Sequence, residues 1–367
     1  MMRFHLLALP NVQTTMAYSL CGFCVATIRF ARLLKELGHE VILYASEENE
    51  APCDELVTVI TKEEISSLLG ATHNRAGEPE ATPYQLAHIE HWSPIWQLAN
   101  ARMIREIGNR KQHGDFICSI GGSSQQPVAQ AHPDIQFVEY SIGYLGSFAK
   151  YRVFESRAWQ HVVCGHQDIQ CVRFFDTVIP CSYDETDFPL RAKKEPFALY
   201  CGRIVERKGI QIACQAAQAA GIPLKLIGSH GDASLGTLAQ YGAEYLGALP
   251  YAEKNDWLSR AQVVLTPTTY IEPFNQVAVE AQLCGTPVVS TDVGGFTETI
   301  KHGVTGYRCN YMGEFVRAIH DAASLDPAVI RARAVRKYSI GQVKHQYQAY
   351  FERLTLLQSE SGWYSLK

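Results

Sequence analysis

Short apolar runs alternate with amphipathic stretches along the whole chain, the pattern of repeated strand and helix units that build parallel sheets. In the first half RFHLLAL, EVILYAS, LVTVI, DFICSI and IQFVEY read as strands. Between the first two, Cys24 to Leu37 has helical periodicity and stops at Gly38, a residue suited to the left-handed turn that closes a helix. Pro180 to Pro196 is polar and aperiodic and reads as a linker. From Phe197 the alternation restarts with FALYCG, a helix from Ile210 to Ala220 stopped by Gly221, LKLIGS, AEYLG, QVVLTP, a helix to Cys284 stopped by Gly285, and PVVST. The pattern predicts an α/β chain of two Rossmann-like domains, residues 1–187 and 188–342, followed by a terminal helical segment, 343–367. Two such domains on one linker leave a cleft between them, with ligands at the carboxyl ends of the strands.

Length agrees with this division, since 367 residues exceed the roughly 150 of a single domain. With 47% hydrophobic and 19% charged residues the usage is that of a globular chain, which excludes a disordered or fibrous one. A net charge of -4 gives no general case for nucleic acid as a partner. The 11 cysteines are scattered singly, mostly in apolar runs, and read as buried thiols of a reducing compartment. No segment reaches about 18 uninterrupted apolar residues, and the start MMRFHLLALP is too short in apolar residues for a signal sequence, so the expected location is the cytoplasm.

The segment TPTTYIEPFNQVAVEAQLCGTPVVS carries the strongest chemical signal. A strand ends at Pro267, Glu272 follows in a loop, and a helix runs from about Asn275 to Cys284. Free backbone N–H groups at Phe274, Asn275 and Gln276 would favour an anion such as a diphosphate at this helix start. Glu280, further into the helix, can accept hydrogen bonds from paired hydroxyls. The segment also reads as an ordinary capped helix with one acid near its start and one facing solvent. In LYCGRIVERKGI, Arg203 follows a strand and Lys208 precedes a helix on the same edge. A guanidinium fork and a mobile ammonium suit a departing diphosphate, and equally a solvated surface turn.

Together, Arg203, Lys208-Gly209, Gly228, Gly247, Glu272-Pro273-Phe274, Glu280, DVGGFTETI and GVTGY resemble the family 4 glycosyltransferases, retaining enzymes of the two-domain GT-B fold. The likeness covers about residues 197 to 308, with seven residues between Glu272 and Glu280 as the family spaces its two acids. The resemblance implies a C-terminal helix that crosses back to the N-terminal domain. It implies Arg203 and Lys208 on the donor diphosphate, Glu272 on the donor sugar and Glu280 on the ribose. It further implies a donor cradle from Phe274, Asn275, Gln276 and Val277 with Gly228 and Leu249 nearby. The nucleotide sugar, with UDP favoured as carrier, is then a co-substrate, and neither a metal nor another cofactor is expected. The acceptor is an unidentified saccharide, lipid-linked glycan or small molecule. Asn275 stands where the family usually has Gly, which puts the donor sugar in question.

In the N-terminal half, PNVQTT takes the place of the family's glycine-rich loop, with Gln13, Thr14 and Thr15 as hydrogen-bond donors. After IQFVEY, Glu139 is the candidate to approach the reacting sugar, with His132 and the backbone at Gly143 as alternatives. Other readings of the cleft are a nucleotide-sugar epimerase or hydrolase, and a binding protein without catalysis. Weaker patterns read as no site: Cys21 and Cys24, at redox spacing, as packing; His161, Cys164, His166 and Cys171 as unrelated residues whose spacing fits no standard ligand pattern; and His88 and His91 as two residues too few to make a metal site. A basic amphipathic helix over Trp92 to Lys111 is expected to pack on its own sheet rather than lie on a membrane. A last helix, Val343 to Leu357, carries Tyr347, Tyr350, Phe351 and Leu354 on one side.

Overall fold

The computed structural model describes residues 1–69, 93–170 and 173–359. The N-terminal domain carries β1 (Arg3–Leu7), α1 (Gly22–Glu36), β2 (Glu40–Ser46), β3 (Glu55–Ile60), α2 (Lys62–Leu69), α3 (Pro94–Arg110), β4 (Phe116–Ser119), α4 (Gln126–Ala131), β5 (Gln136–Ile142), β6 (Tyr151–Phe154), α5 (Arg157–His166) and β7 (Asp176–Val178). The C-terminal domain carries β8 (Glu195–Cys201), α6 (Ile210–Ala219), β9 (Leu224–Ile227), α7 (Leu235–Ala239), β10 (Ala243–Tyr245), α8 (Tyr251–Arg260), β11 (Ala261–Thr266), α9 (Gln276–Leu283), β12 (Val288–Thr291), α10 (Phe296–Thr299), β13 (Gly306–Cys309), α11 (Met312–Ala322) and α12 (Pro327–Tyr338). A final α13 (Ile340–Ser359) follows.

Both sheets are parallel, ordered β3-β2-β1-β4-β5-β6-β7 and β10-β9-β8-β11-β12-β13. The chain reverses direction beside β1 in one sheet and beside β8 in the other, so each sheet has its crevice at a switch point. Each strand of a parallel sheet is covered on both faces, which is why these strands read as continuous apolar runs rather than alternating ones. The helix stops anticipated at Gly38, Gly221 and Gly285 all have positive φ, 75°, 66° and 69°.

The strands β6, β7 and β13 escaped the apolar pattern. They are short, and β6 holds Arg152, a fully buried guanidinium paired with Asp176 of β7. The helix expected over 92–111 is α3, whose Ile95, Trp96, Ala99, Met103 and Ile107 pack inward. Its cations are engaged by carboxylates, Arg102 on Glu64, Arg110 on Glu55 and Glu106, and the adjacent Lys111 on Asp134. This is a sheet-covering helix. Trp92, His88, His91 and Cys171 lie outside the described residues.

The α13 helix returns to the N-terminal core, where Tyr347, Tyr350, Phe351 and Leu354 are buried with Phe4, Phe30 and Phe116. The Phe351 ring lies 4.7 Å from that of Phe4 and 5.0 Å from that of Phe116. The two crossings between domains run side by side: the Tyr183 N–H donates to Tyr338 O at 2.9 Å and the Ile340 N–H to Tyr183 O at 2.8 Å. Among the described residues no helix is long and apolar enough to cross a membrane.

Candidate donor site in the interdomain cleft

Strand β11 ends at Thr266, and the loop after it carries Glu272 to the switch-point edge of the C-terminal sheet. The loop is held from below by the glycine pair of DVGGFTETI. A Cβ on Gly294 would lie 2.7 Å from Glu272 O, and one on Gly295 2.6 Å from Pro273 O. Only a bare backbone can approach so closely, and Gly295 N–H donates to Glu272 O at 2.8 Å. This fixes the Glu272 side chain, which is 6% exposed.

Lys208, at the end of the turn after β8, donates to both Glu272 oxygens at 3.1 and 2.8 Å. Its ammonium also sits 5.1 Å from the centre of the Tyr270 ring. Arg203 lies in the same turn, and among the described residues its guanidinium has no hydrogen-bond or ion-pair partner. The two cations therefore differ: Lys208 is tied to the acid, while Arg203 is free for an anion. Gly228 ends β9 at φ 145°, where a Cβ would collide with Gly202 O, and its N–H donates to Gly247 O. Leu249 is half-buried and packs against the core cluster that includes Phe274.

Asn275 is the N-cap of α9 in left-handed backbone, φ 64° and ψ 86°. Its Oδ1 accepts from the Ala278 N–H at 2.9 Å, and its Nδ2 donates to Glu272 Oε2 at 3.3 Å. Asn tolerates this conformation better than most residues, so the substitution for Gly keeps the turn and adds a cap. Among the described residues the backbone N–H groups of Phe274, Asn275, Gln276 and Val277 have no acceptor. They form an open cradle at the positive end of the helix dipole. The Phe274 side chain itself is core, edge-on to Tyr338 at 5.8 Å.

One turn further in, Glu280 is 3% exposed and held by two cations. Lys254 of α8 donates to Oε2 at 2.6 Å and Arg29 of α1 to Oε1 at 3.2 Å. Burial alone would push its carboxyl up, but Lys254 and then Arg29 outweigh burial and hold it below the usual range. A carboxylate has about four lone-pair sites, so two cations leave room for hydroxyl donors. Arg29 also bonds Gln276 Oε1 and the Tyr251 hydroxyl, each at 3.1 Å, and stacks 4.0 Å from the centre of the Tyr183 ring. It is the main polar tie from α1 to the C-terminal domain, and neither it nor Lys254 stood out in the sequence.

The N-terminal wall differs from expectation. Glu139 is fully buried, and its carboxylate accepts from the Phe148 and Ala149 N–H groups at 2.8 and 2.7 Å and from the Tyr144 hydroxyl at 3.0 Å. It closes the β5–β6 loop and does not line the cleft, which corrects its assignment to the reacting sugar. The alternative His132 is buried under α3, with Nε2 on Ile104 O. Gln13, Thr14 and Thr15 are also buried, and their loop is bound to the β2–β3 connection: Glu48 N–H donates to Gln13 Oε1, and Glu50 N–H to Thr14 O. The Thr14 and Thr15 N–H groups are taken by Glu48 O and Gln13 O, while Gln13 Nε2 has no partner among the described residues. One glycine of this wall that meets the C-terminal domain is Gly22 at the start of α1, where a Cβ would lie 3.2 Å from Gln276 Nε2.

A further acid reaches the cleft from β6. Glu155 follows that strand directly; Ser156 Oγ donates to Pro273 O at 2.5 Å, and the N–H groups of Arg157 and Ala158 donate to Glu298 of α10. The β6–α5 turn is thus bolted to the loop that carries Glu272. Cys21 and Cys24 are buried and not joined in a disulfide, and the Cys24 thiol points at Gln13 O and Thr15 O. Among the described residues no three His, Cys, Asp or Glu side chains converge as metal ligands.

Two facing Rossmann-like sheets with an acid-and-cation cluster at the switch-point edges define a GT-B architecture. Residues 183–337, in the C-terminal domain, match the model of the family described as glycosyl transferases group 1. A glycogen synthase of Mycobacterium tuberculosis is 30% identical over 190 residues, 44% of this chain and 43% of the synthase. The chain spans less than half the length of the curated relatives it matches. The sucrose-phosphate synthase of Thermosynechococcus elongatus superposes with a TM-score of 0.69 at 17% identity over 97% of this chain and 100% of that one. HepE of Anabaena, solved in complex with UDP and glucose, gives 0.67 at 16% identity over 96% and 100%. At such identities the structural likeness establishes the fold: two parallel-sheet α/β domains of the GT-B type.

Proposed function

We propose that this protein is a retaining glycosyltransferase that moves a sugar from a nucleotide diphosphate donor, a UDP-sugar in the favoured case, to an acceptor hydroxyl. The observation that carries the reading is the convergence of Glu272, Lys208, the unpartnered Arg203 and four free N–H groups at one edge of the cleft. The match of residues 183–337 to the glycosyl transferases group 1 model supports it, and the UDP in the HepE structure supports the choice of carrier.

In this reading the diphosphate lies against the start of α9, with Arg203 as a bidentate clamp and Lys208 offering the donor it does not use on Glu272. Negative charge builds on the departing phosphate, and prealigned cations and dipoles stabilise it without rearranging. Glu280 accepts from the ribose hydroxyls and Glu272 orients the sugar. The departing phosphate helps deprotonate the acceptor on the same face of the sugar, so configuration is retained. The N-terminal domain presents the acceptor, a saccharide, lipid-linked glycan or small molecule. Cationic duty falls to protein groups, and no metal is required.

A thermal-shift screen of nucleotide diphosphates and their sugars tests the binding half of the proposal. A ligand at a hundred times its Kd stabilises by about 2.7 kcal/mol, and Arg203→Ala should abolish most of the shift. A chain that no member of the panel stabilises would refute it.

A further inference from the structure

Glu155 combines features that the site as proposed does not use. It stands at the carboxyl end of β6, 8% exposed, and its Oε1 accepts a hydrogen bond from the Cys181 thiol at 3.2 Å. Its other oxygen, Oε2, has no hydrogen-bond partner among the described residues. That oxygen lies over Gly143, where an added Cβ would be 2.6 Å from Oε2 and 3.5 Å from Pro273 Cβ. Gly143, Glu155 and Pro273 therefore meet at one point, where the N-terminal wall touches the loop bearing Glu272. The turn cannot drift away, because Ser156 is bonded to Pro273 O and α5 is capped by Glu298.

The groups that face Glu155 from the packed elements are Cys181 of the linker, Tyr183 beyond it, Tyr347 of α13 and Glu272 across the cleft. None of them brings positive charge. A buried carboxyl without a cation keeps its proton readily, and here burial, with Glu272 adding to it, pushes the group up to about 7. A neutral acid can both donate to and accept from a sugar hydroxyl, whereas Glu272, paired with Lys208, offers acceptors only.

We propose that Glu155 is a substrate-contacting residue, whose free carboxyl oxygen hydrogen-bonds a hydroxyl of the sugar being transferred from the side opposite Glu272. The proposal rests on the reading of this cleft as a nucleotide-sugar site. It places the specificity for the sugar between two acids, one from each domain, and it assigns to Glu155 the place that the sequence offered to Glu139.

The test is calorimetric titration of wild type, Glu155→Leu and Glu155→Gln with the nucleotide sugar that most stabilises the wild-type protein, and separately with the same nucleotide diphosphate lacking the sugar. Glu155→Leu should bind the bare nucleotide as wild type does and bind the nucleotide sugar about tenfold more weakly, the scale of one lost hydrogen bond to a buried group. Glu155→Gln, which keeps a donor and an acceptor, should recover most of that loss. Equal weakening for both ligands would mark a structural role and overturn the assignment, as would nucleotide-sugar affinity unchanged in Glu155→Leu. If the wild-type protein bound bare nucleotides but gained nothing from any attached sugar, the site reading itself would fail.

Discussion

Replacing Arg29 by Met keeps the apolar stem that packs between the domains and removes the charge that joins them. In the native chain that guanidinium bonds Glu280, Gln276 and Tyr251, and it stacks on Tyr183. The hydrogen bond to a charged, buried Glu280 is worth about 1.5–3 kcal/mol, and the stacking on Tyr183 adds about 1 kcal/mol or more. Lys254 stays on Glu280 at 2.6 Å, so the larger loss of about 3–5 kcal/mol for an orphaned buried charge does not apply. The expected loss is about 3 kcal/mol, roughly a hundredfold in the equilibrium that keeps α1 against α9. Small-angle scattering should then show a larger radius of gyration for Arg29→Met, and distance labels on the two domains should separate. Combining it with Glu280→Gln should give a non-additive double-mutant cycle, since the two side chains are in contact. Unchanged scattering together with additive effects would refute the idea that this pair holds the cleft together.

Other substitutions probe separate parts of the account. Asn275→Ala should lower stability by about 2 kcal/mol in urea unfolding, from a lost helix cap and a Cβ residue held at positive φ without local hydrogen bonds, whereas Asn275→Gly should change it by only a few tenths. Glu155→Gln should raise the melting temperature at pH 8 and leave it almost unchanged at pH 4. The folded-state pKa near 7 is higher than the usual value of 4.5, so ionised Glu155 weakens the fold as pH rises through that interval, by up to about 3 kcal/mol. Phe351→Ala should cost about 3–5 kcal/mol and loosen α13 from the N-terminal core, visible as faster amide exchange in that helix.

The parts legible in the sequence were those with local periodicity or close spacing. Alternating runs announced both sheets, and Glu272 and Glu280 sit in one loop-helix unit with their spacing printed in the chain. The short β6 and β7 were hidden because their pairing depends on a buried Arg152–Asp176 ion pair, which looks polar in one dimension. Arg29 and Lys254 were missed for a related reason. Arg29 is a charge inside the apolar run VATIRFARLL, and its partner Glu280 is 251 positions away. The one local clue was that charge on a stretch buried all round from Cys24 to Ala31. Glu139 lies within β5, where the β5–β6 loop folds back on its carboxylate, whereas Glu155 comes directly after the adjacent β6 and reaches the cleft.

The most direct test of the account is transfer itself, with mass spectrometry of acceptor panels incubated with the nucleotide sugar that binds, for wild type, Lys208→Ala and Glu272→Ala. The account predicts a glycosylated product with wild type and a rate at least a hundredfold lower for each variant, the scale of losing one electrostatic contact made in the transition state. Transfer by either variant at close to the wild-type rate would contradict it.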